Sequence, residues 1–139
     1  MTLGEIQPVI LDTSVVSILY NRIDNDVFQF YEQSLAGYEL QVSFQTLEEV
    51  RFGAYLRNWG KRRICEMQEH LSQFDVVWPN SDVVDACARI RSGTRKAGRE
   101  LSLVDAWIAA TAVTLGCPLA SDDGDFDDIP ELTLIQRPR

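Results

Sequence analysis

Short apolar runs alternate with helix-like stretches along this chain, and that alternation limits the fold more than any other feature. The apolar runs that predict strands are residues 8–11, 38–42, 74–78, 118–121 and 132–135. Helical spacing or capping residues predict helices over 14–20, 24–36, 43–58, 61–73, 81 or 82–95, and 102–115. Strands separated by helices are typical of an α/β domain with a mainly parallel sheet.

The size of the chain and its cysteines limit the class of protein further. A length of 139 residues predicts a single domain covering residues 1–139. No stretch approaches the roughly 20 apolar residues of a membrane helix, and the first residues do not resemble a signal peptide. Cys65, Cys87 and Cys117 are widely spaced and form no C-x-x-C pair, which argues against zinc. We therefore expect a cytoplasmic protein with no membrane partner.

Acidic residues follow the predicted strands or begin the helices after them. They are Asp12 after the first strand, Glu48 and Glu49 after the second, Asp105 in the first turn of the helix 102–115, and Asp122 and Asp123 after the fourth strand. In a parallel α/β sheet the ligand site lies beyond the carboxyl ends of the strands, so these acids can converge. Magnesium and manganese prefer such oxygen ligands. Two such ions can activate water in phosphodiester cleavage.

Each acid also has a simpler interpretation that the sequence leaves open. Asp12 precedes a helix and could be its N-cap. Asp105 stands three residues after Ser102, which is the spacing of a capping box. The two glutamates could lie on the protein surface, and residues 122–128 could form a solvated acidic turn. Any one of these alternatives could hold, but together they explain the convergence less well than a metal site does.

The basic residues are unevenly distributed. The net charge is −8, yet ten of the thirteen Lys and Arg residues fall into two stretches. The first stretch contains Arg51, Arg57, Lys61, Arg62 and Arg63, and the second contains Arg89, Arg91, Arg95, Lys96 and Arg99. This distribution permits a basic rim beside an acidic pocket, although two solvated helix faces would give the same pattern.

Four segments of the sequence carry a pattern that extends along the chain. They are residues 9–14 (VILDTS), 43–53 (SFQTLEEVRFG), 103–112 (LVDAWIAATA) and 119–126 (LASDDGDF). Together they resemble the motifs of PIN-domain ribonucleases of the VapC toxin type. The order and separation of the four segments match the family over nearly the whole chain. The resemblance implies a three-layer PIN-like α/β domain whose mainly parallel sheet has the order 3-2-1-4-5 and is flanked by helices.

The same resemblance assigns a site. By position, the family's four catalytic and metal-binding acids correspond to Asp12, Glu49, Asp105 and Asp123. Glu49 is favoured over Glu48 because the family's glutamate precedes an apolar residue and then Arg. Ser121 stands where the family has an orienting hydroxyl. Asp122 departs from the family pattern and could share the metal, and Asp125 is a weaker candidate for indirect support.

The resemblance also implies a function and partners. We expect a Mg²⁺-dependent, or Mn²⁺-dependent, endoribonuclease that is the toxin of a VapBC-type toxin–antitoxin pair. Its expected partners are an RNA substrate, a VapB-type antitoxin and a second copy of itself in a homodimer. The alternative is a PIN-fold binding module that has lost catalysis.

Without metal, the repulsion among four close carboxylates should raise the pKa of at least one of them.

Overall fold

Over the residues that it describes, 5–138, a computed structural model contains five strands, six helices and one 3₁₀ turn. The strands are β1 (Pro8–Leu11), β2 (Glu39–Ser43), β3 (Asp75–Val77), β4 (Leu119–Ala120) and β5 (Leu134–Ile135). The helices are α1 (Thr13–Asn21), α2 (Asn25–Ser34), α3 (Phe44–Leu56), α4 (Lys61–Leu71), α5 (Ser81–Lys96) and α6 (Leu103–Leu115). The 3₁₀ turn, Gly124–Phe126, lies between β4 and β5.

The strands form one sheet in the order β3-β2-β1-β4-β5. Within residues 5–138 every strand pairing is parallel, and β1 is central, with Leu11 beside Val42 of β2 and Ala120 of β4. The predicted α/β class and the predicted order 3-2-1-4-5 are therefore confirmed. Because the strands run in one direction, the segments that follow β1, β2 and β4 emerge at the same edge of the sheet.

Consecutive residues of β1 point to opposite faces of the sheet and join two different helical layers. Val9 and Leu11 pack with residues of α1, α2, α3 and α4, whereas Ile10 packs with α6. None of these three side chains has exposed surface. Helix α5 packs on α6 through small residues such as Ala106 and Ala110. The result is the three-layer arrangement that the resemblance implied, with the core on both faces of β1.

The ends of the helices follow the capping signals in the sequence. The hydroxyl oxygens of Ser43 and Ser102 accept hydrogen bonds from the amides of Gln45 (3.2 Å) and Asp105 (3.1 Å). Helix α6 ends at Gly116, whose φ of 63° is left-handed. Strands β4 and β5 have two residues each and are shorter than predicted. Among the described residues, no helix has the length and hydropathy to cross a membrane.

Gly116→Ala should lower the free energy of unfolding by about 1–2 kcal/mol, because a Cβ at a left-handed position approaches the following carbonyl. Gly93→Ala is the matched control. Gly93 lies in the interior of α5, where an added Cβ meets nothing within 4 Å, so alanine should stabilise the helix by about 0.5–1 kcal/mol. Urea unfolding of both variants checks the opposite signs. Equal changes would contradict this description of the end of α6.

Candidate metal centre

The parallel sheet brings acids from four segments of the chain to one edge. Asp12 follows β1, Glu49 lies in α3, Asp105 lies in the first turn of α6, and Asp123 follows β4. The charge of Asp12 acts on both Glu49 and Asp105, and the charge of Asp123 acts on Asp12. The four residues that the sequence singled out therefore lie within electrostatic reach of one another.

Three carboxylates form the tightest group within this site. One carboxylate oxygen from each of Asp105, Asp123 and Asp125 lies within 4.8 Å of the other two. Asp125 belongs to this group because the 3₁₀ turn folds it back, with its amide donating to Asp123 Oδ1 at 3.0 Å. The sequence suggested only indirect support for Asp125. The signal that could have found it is the Asp-Gly-Asp run, which permits a tight turn.

Asp12 is only 4% exposed, and two hydroxyls hold its carboxylate. Ser14 Oγ donates to Asp12 Oδ2 at 2.8 Å, and Ser121 Oγ donates to the same oxygen at 2.9 Å. Ser121 Oγ also accepts a hydrogen bond from the amide of Asp123 at 3.0 Å, so this serine connects two of the acids. Asp12 stands at the N-cap position of α1, but within residues 5–138 its side chain makes no capping hydrogen bond. The N-cap interpretation therefore does not account for its carboxylate.

The two glutamates of α3 point to different surroundings. Glu49 is half-buried, and Thr13 Oγ1 donates to its Oε1 at 2.6 Å. Glu48 is exposed and accepts from Gln45 Nε2 on the same helix at 2.9 Å. The structure thus turns Glu49, and not Glu48, towards the residue that follows Asp12. The role of Thr13 could not be read from the sequence.

Asp122 is held away from the group of three carboxylates. Its Oδ1 accepts from the hydroxyl of Tyr31 at 2.7 Å and from Arg137 Nε at 2.7 Å. The Tyr31 hydroxyl also donates to the carbonyl of Ser121 at 3.1 Å. These contacts place Asp122 beside α2 and the C-terminal segment, so the suggestion that it shares the metal finds no support.

Burial and mutual repulsion raise the pKa of three of the carboxyl groups. Burial raises the pKa of Asp12, and hydrogen bonds from Ser14 and Ser121 oppose that increase. Burial, followed by the charge of Asp12, raises the pKa of Asp105 to about 6. Burial also raises the pKa of Glu49, against the hydrogen bond from Thr13. The expected pKa increase is confirmed, but burial contributes more to it than the expected repulsion does.

The donor set fits a hard divalent cation. Oxygen ligands about 2.0–2.6 Å from one ion lie within about 4–5 Å of each other, and the oxygens of Asp105, Asp123 and Asp125 meet that limit. Three carboxylates without nitrogen or sulfur donors suit magnesium, manganese or calcium better than zinc. The capping bond that the sequence suggested does exist, because the amide of Asp105 donates to Ser102 Oγ. The carboxylate of Asp105 nevertheless lies with those of Asp123 and Asp125.

Comparison with known proteins assigns the family. The family model described as PIN domain matches residues 9–132, so the chain belongs to the PIN-domain family, as its motifs implied. Among curated relatives, Ribonuclease VapC4 of Mycobacterium tuberculosis is 35% identical over 129 residues. That match covers 89% of this chain and 92% of the relative.

Solved structures support the same fold. FitAcB from Neisseria gonorrhoeae is 28% identical with a TM-score of 0.77, covering 91% of this chain and 96% of that one. VapBC-1 from nontypeable Haemophilus influenzae is 22% identical with a TM-score of 0.79, covering 94% and 98%. VapBC2 from Rickettsia felis, bound to a DNA fragment from its promoter, is 16% identical with a TM-score of 0.83 and covers 95% and 100%.

The metal-free protein should lose stability as pH rises from about 4, the pKa of an unfolded aspartate, through the folded pKa of Asp105, about 6. In that interval the folded state binds more protons than the unfolded state, so stability falls with pH. Asp105→Asn removes the charge and should give a metal-free protein that melts a few degrees hotter at pH 7 and changes less with pH.

Thermal melting in chelator from pH 4 to pH 8 makes this comparison. Asp75→Asn, at an exposed acid that begins β3 at the opposite end of the strands, is the control and should leave the pH profile unchanged. A metal-free Asp105→Asn protein that melts below wild type at pH 7 would show that this carboxylate stabilises the fold instead of straining it.

Proposed function

We propose that this chain is a divalent-metal-dependent endoribonuclease and the toxin of a VapBC-type toxin–antitoxin pair. The observation that carries the proposal is the convergence of acids from four segments at the carboxyl edge of a PIN-domain sheet. The 35% identical relative is a VapC ribonuclease, and this supports the same activity. A silent binding module would have no need to keep several like charges together at a cost in stability.

We further propose Asp12, Glu49, Asp105 and Asp123 as the catalytic, metal-binding residues, and we add Asp125 from the geometry. The ion is Mg²⁺, with Mn²⁺ as the alternative, and it would supply an activated water and neutralise charge on the phosphodiester. Hydroxyls of Ser14 and Ser121 orient Asp12, and the hydroxyl of Thr13 orients Glu49. Metal affinity should fall below pH 6, where Asp105 takes up a proton.

A groove beside the site, with two arginines on its wall, would give RNA a place to bind. The groove has a volume of about 490 Å³ between α1, α3 and α4, with Thr13 and Glu49 on its wall. Arg57 and Arg63 also line it, and the guanidinium of Arg63 lies 3.9 Å from the ring centroid of Trp59. Arginines supply phosphate contacts, and aromatic rings supply surfaces on which bases stack. The groove therefore combines RNA-binding chemistry with one of the proposed metal ligands, Glu49.

The charge of the site also suits the proposed protein partner. Several solved neighbours are toxin–antitoxin assemblies, such as VapBC-1 of Haemophilus influenzae. A VapB-type antitoxin that inserts a Lys or Arg into the carboxylate group would find a complementary charge there. From the family resemblance we also propose a homodimer. We propose a cytoplasmic location because RNA and antitoxin are both partners inside the cell.

Purified protein should cleave RNA with Mg²⁺ or Mn²⁺ and stop when the metal is chelated. Asp12→Asn, Glu49→Gln and Asp105→Asn should each lower kcat/KM about 100-fold or more, because misplacement of the reacting groups by about 1 Å costs that much. Glu48→Gln is the matched control and should keep most activity, since its side chain is exposed. Full activity of Asp105→Asn would show that Asp105 is only part of a capping box at the start of α6 and does not bind the metal. An inactive Glu48→Gln beside an active Glu49→Gln would shift the assignment by one residue.

Arg63→Glu should weaken RNA binding and reduce its dependence on salt, because this guanidinium lines the groove. The neighbouring Arg62 is the matched control, because its side chain is 92% exposed and pairs with Glu66 on α4, so Arg62→Glu should have a smaller effect. Binding is measured by fluorescence anisotropy on an Asp12→Asn background, which prevents cleavage. Equal losses for both variants, or none at low salt, would contradict the assignment of the groove to RNA.

A further inference from the structure

One arginine of the second basic stretch is bound to the backbone beside the carboxylate group. Arg99 Nη2 donates to the carbonyl oxygen of Asp125 at 3.2 Å, and its Nη1 donates to the carbonyl oxygen of Asp127. The two carbonyls belong to the 3₁₀ turn and the residue after it, which are 26 and 28 residues further along the chain. The sequence left this stretch as a basic rim or a solvated helix face, but the guanidinium of Arg99 makes contacts within the protein.

The end of α5 fixes the place from which Arg99 reaches this loop. The amide of Arg99 donates to the carbonyl of Thr94 at 2.9 Å, and the amide of Gly98 donates to the carbonyl of Arg95 at 3.0 Å. With Gly98 at a φ of 81°, these two bonds form a Schellman motif. The backbone of Arg99 is therefore held by its own helix end. Its side chain is half-buried.

The loop that Arg99 holds is attached to the core on its other side. Phe126 is fully buried, and Ile129 is 5% exposed in the cluster around α6. These apolar contacts secure the loop as a whole but do not fix the direction of its carbonyls. Asp128, directly after the second carbonyl, has a positive φ of 61°, a conformation that is uncommon outside glycine. A planar guanidinium with two donors can fix two carbonyls at once.

We propose that Arg99 is a positioning residue for the metal site. By holding the carbonyls of Asp125 and Asp127, it keeps the turn that carries Asp123 and Asp125 at the separation from Asp105 that a shared cation needs. The proposal rests on the proposed metal-dependent function and extends it. It makes the junction between α5 and α6 part of the site, since the residues from Arg99 to Asp105 connect the positioning group to a metal ligand.

The test compares Arg99→Met with Arg95→Met. Methionine removes the donors of Arg99 and keeps much of its length. Arg95 lies in the last turn of the same helix and is exposed, so its replacement removes the same charge without touching the loop. Mn²⁺ binding is measured without RNA by titration with electron paramagnetic resonance. Loss of groups that orient metal ligands lowers affinity by about 10- to 100-fold, and we expect that loss for Arg99→Met only.

A second measurement does not depend on metal. Hydrogen exchange in chelator measures how well the amides of Asp125 and Asp127 are protected. The Asp125 amide donates to Asp123 Oδ1, and the Asp127 amide donates to the carbonyl of Gly124. In Arg99→Met both amides should exchange at least about 10-fold faster, while Arg95→Met should match wild type. Arg99→Lys, which keeps the charge and can hold one carbonyl, should fall between them. With saturating Mn²⁺, the kcat of Arg99→Met for RNA should recover and KM should stay near wild type.

The outcomes separate the two proposals. Unchanged exchange and unchanged Mn²⁺ affinity in Arg99→Met would overturn the positioning role. Equal losses in Arg95→Met would also overturn it and would assign the effect to net charge. Wild-type protein that binds no Mn²⁺ would instead overturn the proposed function and the metal part of this inference, while the exchange comparison would still decide whether Arg99 holds the turn.

Discussion

The hydrogen bonds of the buried residue Asp12, through its backbone and its carboxylate, are the interactions on which the rest of the structure depends. Its amide donates to the carbonyl of Ala120 at 2.9 Å and extends the contact between β1 and β4. Its carbonyl accepts the amides of Val15 and Val16 and so starts α1. Its side chain accepts hydrogen bonds from two hydroxyls at the candidate metal site. Sheet, helix and site therefore share one residue at the centre of the sheet.

The hydroxyls around the acids decide whether such a site can exist in a folded protein. Removing a carboxylate from water is unfavourable unless hydrogen bonds replace the lost solvation. Ser14, Ser121 and Thr13 supply those bonds and favour the charged forms of Asp12 and Glu49. For Asp105 the burial and repulsion prevail, and its pKa reaches about 6. A bound cation would remove that remaining strain, so metal binding and folding stability are coupled.

The sequence predicted the parts of the site that depend on local pattern and parallel topology. Asp12 and Asp123 come after predicted strands, and Asp105 lies in the first turn of a helix with a recognisable N-cap. Their position at one edge of the sheet could therefore be deduced. Periodicity could not choose between Glu48 and Glu49, because the choice depends on Thr13, a contact between residues 36 positions apart. The surroundings of Asp122 could not be predicted for a similar reason, since Tyr31 binds it across 91 positions. Arg99 follows the same rule, because no local pattern reveals that a guanidinium binds backbone carbonyls elsewhere in the chain.

The separation of charge within the chain would allow an acidic protein to bind RNA, as the proposed function requires. With a net charge of −8, the protein as a whole repels phosphate, and the carboxylate group does so most strongly. At physiological salt, charges more than about 8 Å apart are largely screened, so the local surroundings decide. Under the proposed function, Arg57 and Arg63 in the groove would attract the strand while the acids hold a cation beside it. Arg99 has a different task although it belongs to the same basic class, since its guanidinium orients the acidic turn. In these proposals, Arg57 and Arg63 bind the substrate, whereas Arg99 helps to build the site.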